Sequence, residues 1–113
     1  CLCPCSNLYI EKKVPPVEML MTEGCEIVIG TDSFASNKKL SILSELKTLQ
    51  QHFPGINLES LIRWATINGA KALCEENNYG KIVPGMKPGL LLLQDVDLQN
   101  FRLFPETSVL RLI

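Results

Sequence analysis

The spacing of apolar residues changes several times along the chain. Two short apolar runs in its first 30 residues each predict a strand. Residues 1–5 form a short apolar run, and the polar pair Ser6-Asn7 follows it. This pattern predicts a buried strand that ends in a loop. Residues 26–30 contain consecutive apolar residues at 27–29, which predicts a second strand that is buried on both faces. The two predicted strands lie close enough along the chain to be neighbours in one sheet.

A short helix is predicted between these strands. Pro15-Pro16 is a helix-starting signal, because proline is tolerated at the first helical position. The apolar residues Val17, Met19, Leu20 and Met21 continue the helix, and Gly24 is suited to the position just after its end. Strand, helix and strand in this order predict a βαβ unit with parallel pairing and a right-handed crossover.

Two longer helical stretches follow. The first has one apolar face made of Ile42, Leu46, Leu49 and Phe53. Asn57 is a good N-cap for the second, whose apolar side is made of Leu58, Leu61, Ile62 and Ala65. We expect this helix to continue over residues 66–73 with a bend near Gly69, and we expect Trp64 to pack in the core.

The last part of the chain has a sequence pattern that is typical of a small β region. Glycine and proline crowd residues 80–89, and an apolar run at 90–93 then predicts a strand entered through a tight turn. Residues 101–104 and 109–113 predict two more short strands. The pattern therefore indicates an α/β fold, with residues 1–78 as one part and residues 79–113 as a second.

Composition and charge exclude several classes of protein. The chain has 113 residues, a formal net charge of −1 and a single histidine, His52. Basic residues are scattered rather than striped, which argues against a nucleic-acid partner. No apolar run approaches the roughly 18 residues of a membrane span. One histidine cannot build a His-rich metal site, and we expect His52 to interact with the end of its own helix.

Five cysteines form no C-x-x-C pair, and their number is odd. Cys1, Cys3 and Cys5 alternate, so a strand would point them to one face. We interpret all five as small buried apolar side chains in a reducing cytoplasm, with cluster or metal binding as the minor alternative. The chain begins at Cys1 with no leader-like segment, and we expect it to be cut from a longer protein rather than to be a lipoprotein or a processed product.

Polar residues follow both predicted strands, where parallel sheets bind their ligands. Ser6-Asn7 follows the first strand, and Asp32 lies in the polar run 31–33 after the second. A carboxylate at the end of an apolar strand is costly to bury unless it is paired, hydrogen-bonded or bound to metal. Asp32 is therefore either a functional carboxylate or a loop cap, and the spacing alone leaves both open.

Four segments together resemble the end of an amidohydrolase-superfamily enzyme, in the chlorohydrolase and aminohydrolase branch that includes guanine and S-adenosylhomocysteine deaminases. They occur in the family's order over about residues 2–94. The segments are residues 3–10 (CPCSNLYI), 29–37 (IGTDSFASN), 65–72 (ATINGAKA) and 80–89 (GKIVPGMKPG).

The resemblance implies the C-terminal part of a (β/α)8 barrel, with residues 1–5 as strand seven and 26–30 as strand eight, and with residues 79–113 in a composite β-sandwich. It also implies a catalytic role for Asp32, which would bind one divalent metal, zinc or iron, and exchange protons with the attacking water. The fragment alone is expected to bind no metal. Weaker substrate-binding roles fall on Ser6, Asn7, Ser33 and Asn37.

The implied activity is hydrolytic deamination of a small cyclic or heteroaromatic amine by a cytoplasmic homo-oligomer, and we expect the fragment alone to be inactive. The family's metal-binding histidines have no counterpart here, and Cys5 and residues 89–91 depart from its pattern, which leaves the substrate open. The alternative is a free-standing, non-catalytic α/β interaction module in which Asp32 only caps a loop.

Overall fold

The computed structural model describes residues 1–113 and contains helices and one small sheet. The helices are α1 (Pro4–Glu11), α2 (Val17–Thr22), α3 (Ile42–His52), α4 (Leu58–Ala65) and α5 (Ile67–Ala72), and the strands are β1 (Leu91–Asp97) and β2 (Arg102–Arg111). The mixed α/β class is thereby confirmed. None of the five helices is long and apolar enough to cross a bilayer.

The predicted strand at residues 1–5 is wrong except at Leu2. A single parallel bridge pairs Leu2 with Ile29, and helix α1 begins at Pro4. Proline cannot donate to a strand ladder, and its fixed φ suits the first turn of a helix, so the chain turns into α1 directly after the bridge. Cys1, Cys3 and Cys5 consequently do not line one strand face.

The second predicted strand is also reduced to the residue that pairs. Leu2 N donates to Val28 O and Gly30 N donates to Leu2 O, both at 2.8 Å, which is the slanted pattern of parallel pairing. Only Ile27 of this segment is buried, so the prediction of burial on both faces is wrong. The predicted parallel pairing of the two segments is confirmed.

Helix α2 ends as its sequence predicts. Gly24 has φ +71°, in the left-handed region that glycine enters without a Cβ penalty. Gly24 N donates to Met21 O and Cys25 N donates to Leu20 O, each at 3.0 Å, which are the two bonds of a Schellman motif. The start after Pro16 and the stop at Gly24 are both confirmed.

Helices α3 and α4 begin at side-chain caps. Ser41 Oγ accepts from Ser44 N, and Asn57 Oδ1 accepts from Ser60 N at 2.8 Å. The predicted bend near Gly69 is wrong, because the helix breaks earlier, at Thr66, between α4 and α5. Thr66 Oγ1 donates to Ile62 O at 2.7 Å, and such back-bonding by threonine bends helices.

The two strands predicted at 101–104 and 109–113 are one strand, β2, which pairs antiparallel with β1. The ladder is irregular here, because Asp95 lies between the pairs Gln94–Ser108 and Val96–Leu103 and so faces four residues of β2, 104–107, which include Pro105. Thr107 Oγ1 closes this irregularity by accepting from Phe104 N and donating to Asp95 O. Proline therefore interrupts the ladder without ending the strand.

Ten buried apolar residues form the core, and they come mainly from α3, α4 and the segments before them. They are Leu2, Val17, Ile27, Leu46, Leu49, Ile56, Leu58, Leu61, Trp64 and Leu103. The predicted packing of Trp64 is confirmed. Leu103 is the member contributed by β2, and it joins the sheet to this core.

Helix α3 holds the two-stranded sheet through side-chain hydrogen bonds. Gln50 Nε2 donates to Leu103 O at 2.7 Å, and Gln50 Oε1 accepts from Leu103 N at 2.9 Å. Lys47 Nζ donates to the carbonyl oxygens of Pro105 and Thr107, each at 2.6 Å. The division at residue 78 remains a prediction, and these bonds cross it.

Gln50→Ala is expected to loosen β2 from α3. The variant leaves the Leu103 N–H and C=O without their partner, which costs about 1–3 kcal/mol. Hydrogen exchange should show this loss at the Leu103 amide, because exchange reports local opening. Gln51→Ala is the matched control, since Gln51 is the exposed neighbouring glutamine and should leave exchange at Leu103 unchanged. Equal exchange in both variants would contradict the assigned role of Gln50.

Candidate functional site

A side-chain oxygen of Asp32 and the hydroxyl oxygens of Ser6 and Ser36 form a small hydrogen-bonded triangle. Ser36 Oγ donates to Asp32 Oδ2 at 2.6 Å, and Ser6 Oγ lies 2.9 Å from Asp32 Oδ2 and 2.8 Å from Ser36 Oγ. Both serines are buried, whereas Asp32 is exposed. The carboxylate is therefore held from the protein side and remains open to the solvent side.

The two hydroxyl donors keep Asp32 ionised. The hydrogen bond from Ser36, and after it the bond from Ser6, lower the pKa of the Asp32 carboxyl from its ordinary value. A hydrogen bond to the charged form stabilises that form, so the carboxylate persists into more acidic solution. Asp32 is thus a permanent anion at neutral pH, which suits it to a cation.

The elements that place these residues meet at the single parallel bridge. Ser6 is the third residue of α1, which starts directly after Leu2, and Asp32 follows Ile29 by three residues. A Cβ at Gly30 would lie 2.9 Å from Cys1 Sγ and 3.2 Å from Cys3 Sγ, so a larger residue there would have to displace these thiols. Asp32 itself has φ +56°, a left-handed conformation that aspartate tolerates better than most residues.

The other predicted site residues have different surroundings. Ser33 lies in the same loop, but its Oγ accepts from Ala35 N at 3.2 Å. The Asn7 side chain makes no hydrogen bond in this structure, and it is half-buried on α1. Asn37 is buried, and its Nδ2 donates to Thr31 O at 2.8 Å and to Glu45 Oε1 at 2.6 Å. The structure thus joins Ser6 to Asp32 and leaves Asn7, Ser33 and Asn37 outside the triangle.

Two residues of this region were missed by the sequence reasoning. Ser36 stands in the quoted loop segment, but nothing in the pattern separated it from Ser33. Glu45 is fully buried (0% exposed), and it lies on the apolar side of α3 between Ile42 and Leu49. A carboxylate at helical spacing within an apolar face was the available signal, because a buried carboxylate needs specific partners.

Two cysteines, Cys3 and Cys5, lie near the site and are partly buried. Burial is the main cause that raises the pKa of Cys3 and of Cys5 above the ordinary thiol value. Cys5 Sγ lies 3.2 Å from Thr48 Oγ1, and all five cysteines are free. Cys1, Cys25 and Cys74 are exposed, so the prediction that every cysteine is buried is wrong.

The side chains of this region do not by themselves form a complete metal site. No group of three or more histidine, cysteine, aspartate or glutamate side chains is arranged to hold an ion. His52 is the last residue of α3, about 10 Å along the helix axis from Glu45, as seven residues rise. Asp32 is suited by charge and exposure to serve as one oxygen ligand, and a complete coordination shell would need further ligands.

Ser36→Ala is expected to raise the pKa of Asp32 towards its ordinary value, because it removes the largest cause of the lowering. A carboxyl whose pKa is lowered by folding stabilises the fold above its unfolded pKa, and this contribution is lost as the pH falls through the folded pKa. In the variant, this contribution should be smaller, and its loss should be complete at a higher pH. Titration of the Asp32 carboxyl carbon by NMR in metal-free protein measures the shift.

Asp97 provides the control for this titration within the same molecule. Its carboxyl pKa is lowered by the side chain and backbone of Asn100, far along the chain from Ser36. The titration of Asp97 should be the same with and without Ser36→Ala. An unchanged Asp32 titration in the variant would show that Ser36 does not hold the carboxylate in solution.

Comparison with known proteins places this geometry in a family context. The sequence model of the amidohydrolase family matches residues 1–109. A 5-methylthioadenosine/S-adenosylhomocysteine deaminase of Moorella thermoacetica is 33% identical over 114 residues, which cover 95% of this chain and 26% of that protein. A 5'-deoxyadenosine deaminase of Methanobrevibacter smithii is 33% identical over 112 residues, which cover 93% and 25%.

A solved structure has the same local fold. An adenosine deaminase from Xanthomonas campestris, crystallised with bound zinc, matches with a TM-score of 0.69 and 31% identity. The match covers 79% of this chain and 22% of that one. The chain thus spans about a quarter of the length of the relatives that it matches.

Proposed function

Because the chain belongs to the amidohydrolase family, we propose that it forms the C-terminal part of a longer metal-dependent deaminase. In this proposal, residues 1–78 contribute the last two strands and helices of a (β/α)8 barrel, and residues 79–113 contribute to a small β-sandwich. The parallel bridge between Leu2 and Ile29 supports neighbouring barrel strands. The coverage of about a quarter of each relative supports a missing remainder.

One observation carries the proposed activity: an ionised aspartate held by two buried hydroxyls at the carboxyl end of two parallel segments. Ligand and catalytic groups of barrel enzymes lie at this end of the strands. Ser6 and Ser36 fix Asp32 Oδ2, and the carboxylate is accessible from outside the chain. These observations support Asp32 as the residue of this chain that would take part in the chemistry.

Asp32 would hold one divalent metal, zinc or iron, together with ligands from the remainder of the protein. The metal, when bound, lowers the pKa of a water molecule and so supplies hydroxide near neutral pH. The hydrogen bonds from Ser6 and Ser36 keep the Asp32 carboxylate deprotonated, so that its oxygens can receive a proton from the attacking water. The same bonds restrict its rotation, which keeps the carboxylate aimed away from the core.

The proposed substrate is an adenine nucleoside. The named relatives act on 5-methylthioadenosine, S-adenosylhomocysteine or 5'-deoxyadenosine, and the matched structure is an adenosine deaminase. Water would replace the exocyclic amino group of the adenine ring, and ammonia would leave with the inosine analogue. Asn7 and Ser33, at the edge of the site, remain proposed substrate contacts, and we propose a cytoplasmic location in keeping with five free thiols.

The test begins with the reading frame upstream of the codon for Cys1. A frame that encodes a His-x-His motif and two later histidines supports the proposal, and a start codon directly before Cys1 supports the interaction module instead. The complete protein, loaded with zinc or iron, is then assayed for ammonia release from adenosine, 5'-deoxyadenosine, 5-methylthioadenosine and S-adenosylhomocysteine, with guanine as the comparison. Turnover of none of the four nucleosides would overturn the proposed substrate class.

A further inference from the structure

Glu45 is a buried carboxylate that the proposed chemistry does not use. Its side chain is 0% exposed and lies on the apolar side of α3 beside Leu46 and Leu49. The ion pair found in the structure joins Lys71 to Glu26, so no cation neutralises Glu45. Burial of an unpaired carboxylate is costly, and it persists only where hydrogen bonds replace the lost water. The position of those hydrogen bonds therefore indicates what Glu45 does.

One oxygen of Glu45 holds the start of α1. Glu45 Oε2 accepts from Cys5 N at 2.8 Å, across 40 residues of sequence. Helix α1 has no side-chain cap of its own, because its N-cap residue is Cys3. The carboxylate thus satisfies an N–H group that the first turn of a helix leaves free, and its charge suits the helix N-terminus. Ser6, which binds Asp32, is the next residue along this turn.

The other oxygen of Glu45 holds the loop that carries Asp32. Glu45 Oε1 accepts from Asn37 Nδ2 at 2.6 Å, and the same Nδ2 donates to Thr31 O at 2.8 Å. Thr31 directly precedes Asp32. The Asn37 side chain also closes the loop on its far side, because its Oδ1 accepts from Lys39 N at 3.2 Å. Asn37 is thereby fully engaged within the chain.

Two chains of hydrogen bonds, here called arms, lead from Glu45 to Asp32. One runs from Glu45 through Cys5 N to the turn of α1 that contains Ser6. The other runs from Glu45 through Asn37 to the peptide that precedes Asp32. We propose that Glu45, acting through Asn37 and the first turn of α1, is the positioning residue that holds Asp32 between its two hydroxyl donors. The predicted effect on catalysis rests on the proposed deaminase function.

Glutamine at position 45 separates this role from simple burial. A glutamine has the same size as glutamate, but it has one oxygen acceptor where two donors, Cys5 N and Asn37 Nδ2, must be satisfied. One of the two arms must therefore break in Glu45→Gln. Aspartate at this position keeps both carboxylate oxygens on a side chain one methylene shorter, so Glu45→Asp should retain part of the function.

Asn68 gives the matched control for the Asn37 arm. Asn68 is buried like Asn37, and its Nδ2 donates to Ile27 O at 2.8 Å, four residues before Thr31 in the same segment. Asn37→Ala and Asn68→Ala therefore remove the same kind of bond from the same stretch of backbone. Only the first touches the connection between Glu45 and Asp32.

The experiment compares Glu45→Gln, Glu45→Asp, Asn37→Ala and Asn68→Ala in the complete, metal-loaded protein. We expect kcat to fall about 10- to 100-fold in Glu45→Gln and Asn37→Ala with KM nearly unchanged, since support of a ligating carboxylate has effects of this size. Glu45→Asp should recover part of the loss. Asn68→Ala should keep the wild-type kcat, even where its thermal midpoint falls as far.

Hydrogen exchange provides a readout that does not depend on activity. The amide of Cys5 is held by Glu45 and that of Lys39 by Asn37, so at least one of the two should exchange faster in Glu45→Gln. The Lys39 amide should exchange faster in Asn37→Ala, and neither amide should change in Asn68→Ala. A kcat that falls in step with the thermal midpoint in all variants, or exchange unchanged at both Cys5 and Lys39 in Glu45→Gln, would overturn the positioning role. If the wild-type protein deaminates nothing, the proposed function fails, and exchange alone decides the role of Glu45.

Discussion

Asp32→Asn is expected to abolish turnover in the complete protein, with a loss of more than about 10³-fold in kcat/KM. The substitution keeps the size of the side chain and an oxygen that can accept from Ser36 or Ser6, so the loop should remain folded. It removes the charge that would bind a metal cation and the oxygen that would receive a proton. Steady-state ammonia release and the metal content of the purified variant measure both losses.

Asp97→Asn is the control for this substitution. Asp97 is a half-buried aspartate that also has a lowered carboxyl pKa, and it accepts hydrogen bonds from Gln99 N, Asn100 N and the Asn100 side chain. Its substitution should disturb one turn of the small sheet and leave kcat and metal content unchanged. Wild-type turnover in Asp32→Asn would remove Asp32 from the mechanism, and equal losses in both variants would indicate a general effect on folding.

The helices could be predicted from the sequence because their signals are local. Asn57 caps α4 through an N–H three residues away, and Gly24 ends α2 within two residues of the last helical one. Such interactions lie within the window that a pattern of residues describes. The break at Thr66 was missed because a side-chain bond to the carbonyl four residues earlier decides it, and threonine makes that bond in only some helices.

The strands were predicted less well because their partners are distant in sequence. Residues 1–5 are apolar, but their only ladder partner is Ile29, and Pro4 directs the chain into α1. The interruption of the apolar pattern around Pro105 suggested two strands, yet Thr107 satisfies the backbone groups that the proline leaves unpaired. Pro4 ends a predicted strand, whereas Pro105 lies within a strand. The hydrogen-bond partners in the folded chain explain this difference.

Part of the site could be predicted, and the remainder depends on long-range contacts. Ser6 and Asp32 were both expected at the ends of neighbouring strands, and the structure brings their oxygens within 2.9 Å. Glu45 could not be connected to them, because its bond to Cys5 spans 40 residues of sequence. The buried carboxylate was visible as an irregularity in the apolar face of α3, but its purpose was not.

The 113-residue chain expressed alone is expected to self-associate and to show no deaminase activity. Leu91 and Leu92 are adjacent in β1, so they point to opposite faces of the sheet, and both are exposed. Leu110, the cross-strand partner of Leu92, is exposed as well, and so is Val109, which pairs with Leu93. A two-stranded sheet with apolar residues on both faces and free edges is marginal in water and favours pairing with other copies. Asp32 alone cannot complete a metal site.

Light scattering and an apolar-surface dye measure this association. The double variant Leu92→Lys/Leu110→Lys changes one directly paired position on the sheet and should reduce both the particle mass and the dye signal. Gln94→Lys/Ser108→Lys changes the pair two residues further along, where the wild-type side chains are polar, and should reduce neither. A monodisperse wild-type monomer with a cooperative melt and no dye signal would contradict the prediction. Such a monomer would mean that the chain covers its own apolar surface in solution, although the leucines of its sheet are exposed in the structure.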